Sequence, residues 1–282
     1  MDVNIKILKS TGFCAGVMTT LKILDNTFKE QQNIVLLGTI IHNEYVMNKY
    51  ENLGVFVVEP TIESVKKFKS HCFIIPAHGV KKDVYDYLNM NNIFYIDATC
   101  KIVKKIKDLA IKKSLTKPIL ILGDTKHKEC INIKSFVPSV KITDNLNLYQ
   151  DIKNHFIFCQ STFPKYLFNN ELRKLNNRNS NIIVNTSCPL VEKRLKELSK
   201  YLDGDIYLIV GSKSSFNTNM QLKFLTMQNK NAYLISTISD LENIRFNTVS
   251  SIYISSGTST SQDTVIEVHN YICKKFASIK NE

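Results

Sequence analysis

Residues 98–127 run ATCKIVKKIKDLAIKKSLTKPILILGDTKH. Ala98-Thr99-Cys100 ends on a thiol at the mouth of an amphipathic stretch of helical length, Ile102–Leu115. Four apolar residues, Ile119–Leu122, then close on Gly123, and His127 follows. The pattern reads as polar turn, helix, strand covered on both faces, and glycine turn. It recurs twice more. Cys14 ends Thr-Gly-Phe-Cys and Cys188 ends Thr-Ser-Cys, spaced 86 residues (14 to 100) and 88 residues (100 to 188) along the chain. Each is followed by a strand ending in glycine (Gly38, Gly123, Gly211) and then by a polar group (His42, His127, Asn217). A second polar turn closes each copy: Ala77-His78-Gly79, Gln160-Ser161-Thr162 and Gly257-Thr258-Ser259-Thr260. Any α/β protein places glycines and polar residues after its strands, but that habit does not put a cysteine at the head of every copy. Columns kept in step across three copies mark structural repeats.

Outward from these columns the alternation continues. Apolar runs at Ile34–Gly38, Val55–Val58, Cys72–Pro76, Ile93–Asp97, Phe156–Cys159, Ile182–Asn185, Ile206–Gly211, Ala232–Ser236 and Ile252–Ser255 predict strands. Stretches such as Val80–Met90 and Val191–Leu202 predict helices between them. Alternating strands and helices imply an α/β fold with mainly parallel sheets. The period divides the chain into three pseudo-symmetric α/β subdomains, 14–98, 99–186 and 187–282, with segment 1–13 expected to pack on the third.

The 282 residues carry 37 basic and 25 acidic side chains, a net charge of +12. With 44% apolar and 22% charged residues this is a globular composition and not a disordered one. The longest apolar run, near Ile34–Ile41, is far short of a membrane span. Met1–Lys9 alternates polar and apolar residues and lacks a signal-peptide core, so a cytoplasmic location is expected. Only Arg173, Arg178, Arg194 and Arg245 are arginines; the remaining cations are lysines on solvated helix faces. Nucleic-acid readers favour the arginine fork, which argues against nucleic acid as a partner. A basic surface can still steer an acidic protein toward the chain.

Seven cysteines (Cys14, Cys72, Cys100, Cys130, Cys159, Cys188 and Cys273) form no C-x-x-C pair, and an odd count without a secretory signal opposes a disulfide framework. Ligands of open α/β sheets gather beyond the carboxyl ends of the strands, where every column residue falls. Three thiolates suit either a zinc ion with one open position or an iron–sulfur cluster with one unligated iron. The wide spacing fits the larger cluster better. The alternative is a zinc hydrolase of a phosphorylated substrate, its metal held by the same three cysteines.

Taken in order, Gly12-Phe13-Cys14-Ala15-Gly16-Val17, Gly38-Thr39-Ile40-Ile41-His42-Asn43, Ala77-His78-Gly79-Val80, Asp97-Ala98-Thr99-Cys100 and His127-Lys128-Glu129 form a recognisable series. Gln160-Ser161-Thr162, Thr186-Ser187-Cys188, Ser215-Phe216-Asn217 and Ser256-Gly257-Thr258-Ser259 complete it. The series, spread over nearly the whole chain, resembles the hydroxymethylbutenyl diphosphate reductase (IspH or LytB) family. The resemblance implies a trefoil-like fold around a central 4Fe–4S cluster held by Cys14, Cys100 and Cys188. It implies reductive removal of the allylic hydroxyl of hydroxymethylbutenyl diphosphate, giving isopentenyl and dimethylallyl diphosphates and water. The open iron would act as Lewis acid while the cluster passes single electrons. Glu129 would supply the proton that lets hydroxide leave. His42, His78, His127, Ser215, Asn217 and Ser259 would face the diphosphate, with Phe216 beside them, and Ser161 or Thr162 would touch the substrate hydroxyl. No G-x-G-x-x-G fingerprint is present, so the electrons are expected from a ferredoxin or flavodoxin.

Five positions depart from the family pattern: Phe216 for a second serine, Lys101 for a proline, Val191 and Leu195 for polar residues, and Ser161 for a threonine, which keeps the hydroxyl. His71, His155 and His269, with Cys72, Cys130, Cys159 and Cys273, carry no motif and are expected to be structural.

Overall fold

A computed structural model describes every residue except 1–2, 32, 42–43, 69–70, 150, 177, 247–248 and 280–282; of residues 44, 45, 278 and 279 it describes the backbone alone. The chain opens on strand β1 (Asn4–Ile7) and helix α1 (Ala15–Glu30). It continues through β2 (Ile34–Leu37), α2 (Glu44–Asn52), β3 (Phe56–Val58), α3 (Ile62–Lys67), β4 (Cys72–Ile75), α4 (Lys82–Met90) and β5 (Tyr95–Asp97). A second round follows: α5 (Lys101–Ser114), β6 (Ile119–Leu122), α6 (Lys128–Phe136), β7 (Lys141–Thr143), β8 (Phe156–Cys159), α7 (Lys165–Leu172) and β9 (Ile182–Ile183). A third comprises α8 (Pro189–Leu198), β10 (Ile206–Val210), α9 (Phe216–Met227), β11 (Ala232–Ile235), β12 (Ser251–Ser256) and α10 (Gln262–Ile279).

These strands form three four-stranded, wholly parallel sheets, ordered β3-β2-β4-β5, β7-β6-β8-β9 and β11-β10-β12-β1. The two central strands of each are almost wholly buried, as strands covered by helices on both faces must be. The third sheet takes its fourth strand from the beginning of the chain: β1 runs parallel to β12 with Asn4 opposite Ser251 and Ile7 opposite Ile254.

The chain forms two compact units. One comprises residues 1–15, 41–44 and 189–282 and holds the third sheet; the other comprises 16–40 and 45–188 and holds the first two. In the larger unit α4 and α6 join the two sheets. The Lys82 amide donates to Ser135 Oγ at 2.9 Å, Asn132 Nδ2 donates to the His78 carbonyl at 2.8 Å, and the Tyr85 and Phe136 rings lie 5.9 Å apart. Phe136 packs against both sheets' cores. No helix among the described residues is long and apolar enough to cross a membrane.

Candidate active site

Each predicted cysteine sits at the start of a helix that follows a sheet's edge strand. Cys100 is the N-cap of α5, Cys188 precedes Pro189 of α8, and Cys14 precedes Ala15 of α1. One hydrogen bond recurs at all three. The Cys100 amide donates to the Ala77 carbonyl at 2.9 Å, that of Cys188 to Ser161 at 2.6 Å, and that of Cys14 to Thr258 at 3.1 Å. The turn after β4, β8 or β12 thus holds the backbone of the thiol that opens the next helix, a position where the helix dipole favours negative charge.

All three thiols are half-buried and reduced. Cys72, Cys130 and Cys159 are buried instead, and desolvation pushes their thiols up, Cys159 to about 11. Cys14, Cys100 and Cys188 thus each offer a reachable thiol on a fixed backbone, a donor of the kind an iron–sulfur group takes, whereas Cys72, Cys130 and Cys159 are shielded. Cys14 belongs to the smaller unit, Cys100 and Cys188 to the larger. Among the described residues no three His, Cys, Asp or Glu side chains are gathered as a ready-made metal site.

In the larger unit Glu129, on the first turn of α6, is 1% exposed. Its Oε1 accepts the Ser161 amide at 2.8 Å and its Oε2 accepts the Ser161 hydroxyl at 2.5 Å. Burial pushes the carboxyl up, against the lowering pull of those two bonds. Ser161 also gives its carbonyl to Cys188, so a single residue joins the carboxyl to the thiol's backbone. His127 is the N-cap of α6, and its Nδ1 accepts the Glu129 amide at 3.2 Å. A neutral ring so bonded carries its proton on Nε2, which makes Nε2–H a donor. His78 follows β4 and is half-buried. Gln160 Nε2 donates to Thr162 Oγ1 at 2.5 Å, while Gln160 Oε1 accepts the Asp124 amide at 2.9 Å. A methyl on Gly123 would lie 2.8 Å from Gln160 Cβ and 2.9 Å from Cys130 Sγ, so only glycine fits beneath this turn. His42 lies outside the described residues.

In the smaller unit Ser215 caps α9, its buried Oγ accepting the Thr218 amide at 3.4 Å. Phe216 is the first residue of that helix and half-buried; Asn217 Nδ2 donates to Thr258 Oγ1 at 2.7 Å, and Ser259 is half-buried in the same turn as Thr258. Two side chains of α8 hold the segment that leads to Cys14. Glu197 accepts the Lys9 and Ser10 amides at 2.6 and 2.8 Å. Arg194, 3% exposed, donates to the carbonyls of Ser256, at 2.7 Å, and Gly12. Neither residue carries a local sequence signal, because their partners lie about 60 to 190 residues away. Arg194→Leu would strand the Gly12 carbonyl, and a loss of about 1–3 kcal/mol in urea denaturation is expected. An unchanged midpoint would mean that the guanidinium contributes nothing net.

Of the departures, Val191 and Leu195 are buried, which explains their apolar character, and Lys101 is exposed. His71 stacks edge-on against Phe56 and Phe68, and Cys273 is exposed on α10. Lys128 has no role assigned by its motif, yet its Nζ lies 3.1 Å from Thr39 Oγ1, 89 residues away.

The family model described as LytB protein matches residues 5–273. A 4-hydroxy-3-methylbut-2-enyl diphosphate reductase of Caldanaerobacter subterraneus subsp. tengcongensis is 30% identical over 99% of this chain and 98% of its own. One of Wigglesworthia glossinidia brevipalpis is 29% identical over 95% of this chain and 89% of its own. Among solved structures, the E-1-hydroxy-2-methyl-but-2-enyl-4-diphosphate reductase from Plasmodium falciparum superposes with a TM-score of 0.87. It is 23% identical and covers 96% of this chain and 88% of its own, a likeness of fold. A second structure, that of (E)-4-hydroxy-3-methyl-but-2-enyl diphosphate reductase, the terminal enzyme of the non-mevalonate pathway, gives a TM-score of 0.66 at 26% identity, over 96% of this chain and 99% of its own.

Proposed function

The chain belongs to the LytB family, and from that premise we propose that its thiols, histidines and buried carboxyl carry out a reductive dehydroxylation. It is an oxidoreductase of isoprenoid biosynthesis. 4-Hydroxy-3-methylbut-2-enyl diphosphate, two electrons and two protons give water and isopentenyl or dimethylallyl diphosphate. The C–O bond breaks, the oxygen leaves as water, and the allylic fragment takes up the electron pair and a proton. The zinc hydrolase alternative has no support among the relatives, which carry the reductase name.

The observation that best supports these assignments is the buried Glu129 carboxyl on Ser161, whose carbonyl holds Cys188. Cys14, Cys100 and Cys188 are the ligands of one 4Fe–4S cluster per chain. When bound, such a cluster with one iron free of protein ligands supplies Lewis acidity and single electrons. The chain's own groups do the rest. Glu129, whose carboxyl burial pushes up, delivers the proton that makes hydroxide a leaving group, through the Ser161 hydroxyl or Thr162. His127 presents Nε2–H to the diphosphate, joined by His42, His78, Ser215, Asn217 and Ser259. An anionic group can recruit a further proton to an imidazole, whose ordinary value is near ~6.5. Phe216 contributes its helix-terminal amide where a serine hydroxyl is lacking.

A small acidic ferredoxin or flavodoxin suits the +12 charge as electron donor, and a cytoplasmic setting keeps the thiols reduced. The three repeats, 14–98, 99–186 and 187–282, are read as three pseudo-symmetric α/β subdomains. The test is anaerobic assembly of the holoenzyme, followed by assay with reduced ferredoxin and the allylic diphosphate. Formation of both five-carbon diphosphates is expected; hydrolysis to inorganic phosphate, or no turnover, overturns the reading.

A further inference from the structure

Lys128 stands at the first position of α6, where the positive end of the helix dipole opposes a cation. Among the described residues no carboxylate lies within ion-pair distance of it, unlike Lys82, Lys104, Lys174 and Lys213. Its half-buried side chain reaches from the second sheet to the first, where Nζ donates to Thr39 Oγ1 at 3.1 Å. A methyl placed on Gly38 would lie 3.9 Å from that Nζ and 3.6 Å from His78 Nε2, so the two nitrogens flank one spot beside the glycine. Gly38 holds φ +104°, a conformation that side chains resist, and Pro76 Cγ, 3.7 Å from the same spot, is its apolar neighbour. The Asn132 bond to the His78 carbonyl fixes the histidine's backbone on the same face.

An ammonium and an imidazole converge beside one glycine at a helix N-terminus, a local concentration of donors suited to an anion. We infer that Lys128 is a substrate-binding residue: its ammonium contacts the terminal phosphate of the diphosphate, beside His78. This rests on the reductase reading for the identity of the ligand, and it adds a permanent charge beside the His78 imidazole. A contact to the end of the substrate remote from the reacting carbon strengthens ground state and transition state alike, so its loss raises KM and spares kcat.

The variants are Lys128→Met and Lys128→Arg, and the probe is inorganic diphosphate titrated calorimetrically onto anaerobically prepared protein. Lys128→Met is expected to bind the probe about tenfold or more weakly, with a shallower salt dependence and a KM raised by a similar factor. Its kcat should stay within about threefold, and Lys128→Arg should recover most of the binding. Because the cation opposes the helix dipole, the Met variant should melt at or above the wild-type temperature. Diphosphate binding equal to wild type in Lys128→Met overturns the inference, as does a lowered melting temperature with binding unchanged, which marks a structural strap. Wild-type protein that binds diphosphate through Lys128 but reduces no allylic diphosphate upholds this inference and sinks the reductase reading alone. An active wild type whose Met variant is unaltered does the reverse.

Discussion

Cys100→Ala protein, purified without oxygen, is expected to have lost its bound iron and acid-labile sulfide. Turnover should fall at least about a thousandfold, because a catalytic metal centre supplies several kcal/mol of transition-state stabilisation. The fold should survive. The Cys100 side chain is half-exposed, its amide bond to Ala77 does not involve the thiol, and Val103, Ile106 and Ala110 still seat α5. Apo-protein stability should therefore move by no more than about 0.5 kcal/mol. Cys130→Ala is the control with the opposite signature. That thiol is fully buried beneath Gly123 and Gln160, so truncation should cost about 1 kcal/mol or more while iron, sulfide and activity persist. Iron retained at the wild-type level in Cys100→Ala would remove that thiol from the ligand set.

The central strands are legible in the sequence because burial on both faces demands uninterrupted apolar runs, as in Ile34-Val35-Leu36-Leu37 and Ile119-Leu120-Ile121-Leu122. β7, Lys141-Ile142-Thr143, is a half-covered edge strand of three residues and leaves no such run. The register of β1 is equally invisible, since pairing Asn4 with Ser251 is a contact across almost the whole chain. The cysteine column is readable because its spacing is regular, but the turn column looks loose at 64, 61 and 71 residues past each cysteine. The hydrogen bonds explain why. Each turn holds the cysteine that comes after it, 23 residues on (77 to 100), 27 on (161 to 188), and around the chain's ends from Thr258 to Cys14. The physical repeat runs from turn to thiol, and offsets counted from thiol to turn blur it. Arg194 and Glu197 leave no trace in the pattern, and the contact of Lys128 leaves none, for one reason: each acts on a partner placed beside it only by tertiary structure.

Glu129→Gln separates chemistry from architecture. The amide is isosteric, its Oε1 can still accept the Ser161 amide, and its Nε2 can donate to a rotated Ser161 hydroxyl. What it lacks is a transferable proton. A kcat lowered about 10²- to 10⁴-fold is expected, the usual contribution of a general acid, with KM for the allylic diphosphate little changed. The direction of the carboxyl shift adds two pH signatures. In the wild type a raised carboxyl keeps the acid form populated at higher pH, and kcat should decline as pH climbs through that raised value. For stability, the folded state binds this proton more tightly than the unfolded chain, whose glutamate titrates near ~4.3. Folding stability from this group is therefore fully present below that pH and falls as pH rises through the folded value. Glutamine does not titrate, so the variant's melting temperature should match or exceed that of the wild type on the alkaline side while its turnover collapses. A variant that is stable, loaded and as fast as wild type would move the proton source to another group, with Thr162 and Gln160, bonded at 2.5 Å in the same turn, the next to replace.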